Sequence, residues 1–198
     1  MKKPSVLQSW LFPAPHCHDA SPHHHWPRIQ RQDHTGHPTQ RSLRCPLVRE
    51  ASRDYLNARY RAQPGYQYGQ HDLLNIARLQ LEHEQKVLQQ APPFVVCDTD
   101  LLVIVVWSEV RYGHAEPALL DLFGQSLTAG PRTYLLCDHH IPWEPDPLRE
   151  HPQGRDMLAA RYRDRLHGLG VSYLTASGDP HQRLQQALAA MAKTAASN

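Results

Sequence analysis

The sequence predicts an α/β protein of three layers with a largely parallel sheet, and three observations carry that prediction. Short apolar runs alternate with amphipathic stretches of helix length, the pattern of parallel strands joined by crossover helices. The run Phe94–Cys97 (F-V-V-C) is apolar throughout, as a strand buried on both faces must be. It stops at two carboxylates, Asp98 and Asp100, and in open sheets ligands sit just past the carboxyl ends of the strands.

The totals narrow the class. A chain of 198 residues suits one domain with a full core, and a formal charge of +2 is too small to argue for nucleic acid. That charge is unevenly spread: seven Lys or Arg precede Glu50, against only Asp19 and Asp33, and the remainder is slightly acidic. The four cysteines show no close pairing, and Cys97 and Cys137 end apolar runs, which reads as reduced cytosolic thiols. Met1 to Phe12 lacks the apolar core and cleavage site of a signal peptide, and the longest apolar run, Leu101 to Trp107, is too short to span a bilayer. The expectation is a soluble, cytoplasmic protein with no membrane or nucleic-acid partner.

Taken in order, residues 1–47 read as neither helix nor sheet. Seven prolines and seven histidines break every period, and only Val6 to Phe12 offers the makings of a strand. The cluster His16, His18, His23, His24 and His25 has no fixed spacing on a scaffold, so disorder accounts for it better than a metal site. From Leu47 the character changes. Leu47 to Leu56 reads as a short strand leading into a helix, with Glu50 and Arg53 near the strand end, and Gln63 to Gly69 as a loop. Asp72 to Gln90 reads as a helix, with Leu73, Leu74, Ala77, Leu81, Glu84 and Leu88 along its inner face, ended by Pro92 and Pro93. Leu101 to Tyr112 is rich in Val and Ile, yet it follows a strand without a turn, and Asp100 stands where an N-cap carboxylate is favoured; a helix is predicted. A helix over Glu116 to Leu127, a strand over Thr133 to Cys137 and a polar, proline-rich segment over Asp138 to Gln153 follow. A helix over Arg155 to Leu169, a strand over Val171 to Ala176 and a helix over Pro180 to Lys193 complete the chain.

Three groups of residues carry a family resemblance: Glu50 with Arg53, the Asp98-Thr99-Asp100 motif with Trp107 downstream, and Ile141-Pro142-Trp143-Glu144-Pro145-Asp146-Pro147-Leu148-Arg149. Together they resemble the P-loop kinase domain of the NadR type, the ribosylnicotinamide kinases, which are grouped with AAA-like ATPase domains. The resemblance implies a P-loop NTPase or nucleoside-kinase-like fold over residues 47–198, with a lid around 138–155. It implies ATP and Mg2+ as cofactors and a small nucleoside, nicotinamide riboside first, as phosphoryl acceptor. Asp98 would be the base or the Mg2+-side carboxylate. Asp100 would hold or orient ribose hydroxyls, with helix capping as its alternative role. Glu50 and Arg53 would line the acceptor pocket. Trp143, Asp146 and Arg149 would belong to the lid, with Arg149 catalytic and Arg149 and Arg155 reaching the phosphates.

One required part is missing. The family needs a strand, then G-x-x-x-x-G-K-[ST], then a helix, all before Glu50. The chain's four lysines, Lys2, Lys3, Lys86 and Lys193, never follow a glycine. The expectation is therefore that the N-terminal strand and the phosphate loop are both absent, leaving a partial domain after an irregular segment 1–46. The genetic code suggests a cause. Pro27-Arg28-Ile29-Gln30-Arg31-Gln32-Asp33-His34 can be encoded CCC CGA ATC CAG CGG CAA GAC CAC. Preceded by GG and read from the first G, the same bases give G-P-E-S-S-G-K-T-T, with its lysine about 18 residues before Glu50. Residues from about 1–20 through 44 are thus expected to be a wrong-frame translation, with the proper frame resuming near Cys45 or Pro46. Three functions follow: a nucleoside kinase, a P-loop NTPase with another acceptor, and an inactive kinase-like remnant or scaffold.

Overall fold

The computed structural model describes residues 5–10, 46–92, 94–130, 132–138, 155–171 and 173–196. The elements are β1 (Ser5–Trp10), β2 (Leu47–Val48), α1 (Ala51–Ala62), α2 (Gln70–Leu88), β3 (Phe94–Cys97), α3 (Leu101–Tyr112), α4 (Pro117–Leu127), β4 (Arg132–Cys137), α5 (Arg155–Gly168), β5 (Tyr173–Ala176) and α6 (Pro180–Ala196). The predicted order of helices and strands from Leu47 onward is the observed one, with ends displaced by a few residues.

The five strands form one sheet in the order β2-β3-β1-β4-β5, and every pair is parallel. Strand alternation sorts the core into layers. Val95 and Cys97 pack with Val48 under Val87 and Leu88 of α2, while Tyr134 and Leu136 join the large cluster built from α1 to α5. The residues between them, Val96 and Leu135, turn to the other face and meet Ala187 of α6. Helices on both faces of a parallel sheet make the three layers expected.

The expectation of a missing N-terminal strand is corrected here. Ser5–Trp10 occupies the centre of the sheet, with Val6 opposite Val95 on one side and Arg132 on the other. The density of prolines hid it. Between Pro4 and Pro13 the chain runs free of both Pro and Gly and carries Val, Leu and Trp, enough for six extended residues. A parallel β3 and β4 need a ladder partner between them, and this window supplies the backbone donors and acceptors.

α3 resolves the ambiguous Val/Ile run. Every residue from Leu101 to Val106 is buried, so the helix is apolar all round in its first turns, which erases the usual amphipathic signature. Its ends decide the matter. Asp100 Oδ1 accepts from the Leu102 amide at 2.9 Å as N-cap, and Gly113, at φ 80°, closes the helix in the left-handed conformation. α2 begins at a reciprocal cap in which Asp72 Oδ2 accepts from the Gly69 amide at 2.8 Å. The same buried carboxylate accepts from the hydroxyls of Tyr55 (2.9 Å) and Tyr66 (2.7 Å), tying α1 and the loop to α2. Burial works against the Asp72 charge, but the Gly69, Tyr66 and Tyr55 bonds hold its pKa below the ordinary carboxylate value.

Candidate functional site at the carboxyl ends of the strands

Parallel strands present their carboxyl ends together, so the residues following each strand share one edge of the sheet. Glu50 follows β2, Asp98 follows β3 and Asp138 follows β4. β2 and β3 are adjacent, in register to Val48 opposite Cys97, and the Asp98 amide donates to the Val48 carbonyl at 2.9 Å. The Asp138 amide likewise donates to the Ala176 carbonyl at 2.8 Å. Backbone pairing thus carries one residue past the strands and fixes where each acid leaves the sheet.

Glu50 and Arg53 lie at the start of α1, 4.0 Å apart, with Glu50 the more enclosed of the two. Ser52 Oγ donates to the Glu50 carboxylate. Asp98 is half-buried at the tip of β3. Asp100, expected to touch ribose, is instead 0% exposed. Its Oδ1 caps α3, its Oδ2 accepts from the Tyr134 hydroxyl at 2.9 Å, and Arg132 Nη1 stands 3.6 Å away. The capping role that the sequence left open is the one observed. Trp107 is a packing residue, donating from Nε1 to Tyr68 Oη at 3.1 Å with its ring edge-on to that tyrosine. Trp143, Asp146 and Arg149, the His16–His25 cluster and the segment Pro27–His34, expected to be read in the wrong frame, lie outside the described residues. Arg155 opens α5, but its side chain is also outside them. Among the described residues no cluster of His, Cys, Asp or Glu is arranged to hold a metal ion.

The structure gives roles to residues to which the sequence reading assigned none. Gln80, on the buried face of α2, links two strand-end loops: its Oε1 accepts from the Ala51 amide at 2.9 Å and its Nε2 donates to the Thr99 carbonyl at 3.0 Å. One turn on, Glu84 accepts from Arg132 Nη2 at 3.0 Å, and the same nitrogen donates to the Ser126 carbonyl at 2.9 Å. Burial drives the Glu84 carboxyl up to about 7, opposed by Arg132 and reinforced by Asp100. Burial also works against the Arg132 charge, yet facing both acids keeps its guanidinium firmly protonated. Burial also pushes the Tyr134 phenol far up, helped by Asp100, and the Cys97 thiol with it, helped by Glu84. The available signal was three polar residues, Asp72, Gln80 and Glu84, at helical spacing among the apolar positions of α2.

As to what can bind, Asp98 and Glu50 are hard oxygen donors of the kind a hydrated Mg2+ accepts. Among the described residues no lysine follows a strand end to meet a triphosphate. The sequence has no Gly-Lys step, and Lys86 on α2 is exposed and paired with Glu82 at 2.7 Å.

Sheet order, layers and acids at adjacent strand ends define a domain with the fold of the P-loop kinases. A solved crystal structure of NadR protein in complex with NR is similar, at a TM-score of 0.58 and 13% identity over 95% of this chain and 49% of that one. This chain therefore spans about half the length of that structure. The family follows from the sequence itself: a profile described as an AAA domain matches residues 39–183, and the chain belongs to that family. No curated protein matches. Among the described residues no helix is long and apolar enough to cross a membrane.

Proposed function

We propose that the domain is built for ATP-dependent phosphoryl transfer to a small nucleoside, with nicotinamide riboside as the first acceptor to test. The observation that supports this most is the pairing of β2 with β3, whose parallel register brings the segments that carry Glu50 and Asp98 to the same end of the sheet. The AAA-family match and the similarity to a protein crystallised with NR add to it. In this reading Asp98 takes the proton of the acceptor hydroxyl or stands on the Mg2+ side. Glu50 and Arg53 line the acceptor pocket, and Asp100 orients the loop from within. Trp143, Asp146 and Arg149 close over the acceptor, with Arg149 and Arg155 above the phosphates. Positioning and fixed charge are what such a transfer requires of a protein, with water kept out by the closing segment. The working compartment is the cytoplasm, with no membrane or nucleic-acid partner.

One observation favours a second reading. With no Gly-Lys step, the chain has no lysine placed as one that grips β- and γ-phosphates is, so it would bind ATP poorly and act as a kinase-like remnant. A P-loop NTPase with another acceptor is the third reading. A single experiment separates them: transfer from ATP to nicotinamide riboside, assayed for the chain as printed and for one carrying G-P-E-S-S-G-K-T-T in place of the shifted segment. Turnover confined to the restored chain supports both the kinase and the frame shift. ATP hydrolysis without riboside phosphorylation points to another acceptor. No nucleotide binding by either chain leaves only the remnant. Sequencing the gene across codons 15–48 tests the shift directly, and a clean in-frame read ends it.

A further inference from the structure

Two loops meet at the candidate site, one entering α1 and one entering α3. Each is held by backbone pairing only as far as the strand ends, where Val48 opposes Cys97 and the Asp98 amide reaches the Val48 carbonyl. Beyond that point the chains turn into separate helices. α1 starts without a side-chain cap of its own, since Glu50 at its N-cap makes no capping bond. Gln80 supplies the missing acceptor from α2. Its Oε1 takes the Ala51 amide at 2.9 Å, and its Nε2 gives a proton to the Thr99 carbonyl at 3.0 Å. Ala51 is the residue after Glu50, and Thr99 lies between Asp98 and Asp100. The side chain doing this is 1% exposed.

We infer that Gln80 is a positioning residue of the acceptor site, fixing the loop that carries Glu50 against the loop that carries Asp98. The inference deepens the phosphoryl-acceptor reading above and rests on it. A carboxamide is the one ordinary uncharged side chain of this length that accepts on one side while donating on the other. A hydrocarbon would leave a buried amide and a buried carbonyl without their partner, and a carboxylate would oppose the Thr99 carbonyl. α2 is a long helix anchored at its start by the Asp72 cap and at its far end against Val48, Val95 and Cys97. The bridge therefore stands on a rigid element, and a site held from such an element keeps its spacing better than loops alone.

The test uses the full chain, whose described residues include Glu50, Asp98 and Gln80. Nicotinamide riboside is titrated by calorimetry into the unaltered protein, Gln80→Met, and a core control, Leu119→Ala, in which a buried side chain of α4 is cut back. Thermal unfolding first establishes a temperature at which all three are folded. Gln80→Met is expected to weaken the acceptor roughly tenfold or more, the worth of a misplaced hydrogen-bonded group. The control is expected to stay within about twofold. Equal loss in both variants would mean that Gln80 only stabilises the fold, and would overturn the inference. Absence of riboside binding by the unaltered protein would sink the acceptor reading instead. Amide hydrogen exchange then judges Gln80 by itself: faster exchange in Gln80→Met across residues 46–56 and 97–104, with α4 unchanged, supports the bridge, and unchanged exchange refutes it. Should Gln80→Met not fold, Gln80→Glu replaces it, keeping the acceptor for Ala51 and losing the donor to Thr99.

Discussion

Arg132 and Glu84 face each other across 3.0 Å with both side chains only 2% exposed, and Asp100 lies 3.6 Å from the same guanidinium. One cation thus serves two buried carboxylates, and among the described residues Glu84 Oε1 has no hydrogen-bond partner. A cluster short of one positive charge in a low dielectric favours holding a proton, and burial raises the Glu84 carboxyl to about 7.

Stability should therefore depend on pH through Glu84. Its carboxyl binds a proton more tightly folded, at about 7, than at the ordinary value of 4.5. The contribution is complete below the lower value and is lost as pH rises through the higher one. The melting temperature is expected to fall by several degrees between about pH 5 and pH 8 from this source. Glu84→Gln, which keeps shape without ionising, should flatten that slope in a calorimetric pH series; an unchanged slope would show that the proton lies elsewhere.

Removing the cation is more damaging than removing an acid. Arg132→Met takes from Glu84 and Asp100 the guanidinium they share, and a loss of roughly 3–5 kcal/mol is expected in urea unfolding.

Asp100→Ala removes both the cap on α3 and the partner of the Tyr134 hydroxyl. The expected cost is about 2–4 kcal/mol of stability. Loss of acceptor affinity without loss of stability would instead return Asp100 to the ribose role.

Asp98→Asn, made in the chain with the phosphate loop restored, is expected to lower the rate of transfer by about 10²–10⁴-fold. Thermal stability should hardly change, since Asp98 is only half-buried. Full activity in the variant would remove Asp98 from the chemistry.

Leu7→Pro deletes a backbone donor in the middle of β1, whose neighbours lie on both sides. A loss of at least about 2–3 kcal/mol is expected by denaturant titration. An unaffected midpoint would mean that Ser5–Trp10 is not the central strand.

The fold was largely legible because its signals are local. Phe94–Cys97 announces a buried strand, Pro92 and Pro93 mark the end of α2, and Gly113 marks the end of α3. β1 escaped because six residues among prolines carry little pattern, and their place depends on partners some ninety and more positions away. For the site, the acids at strand ends could be found by topology, whereas Gln80 and Arg132 could not. A polar residue among apolar ones reveals that it is satisfied, but not by what. Asp100 illustrates the same limit: an acid just past a strand end looks alike in one dimension whether it faces solvent or caps a helix.

The position of β1 has a consequence for how the protein is made. β1 is made before both of its partners, and its two ladders are completed only when Phe94–Cys97 and then Arg132–Cys137 have emerged. Nascent chains ending before β4 hold a half-built sheet with an open edge, and assembly is governed by long-range closure rather than by helix formation.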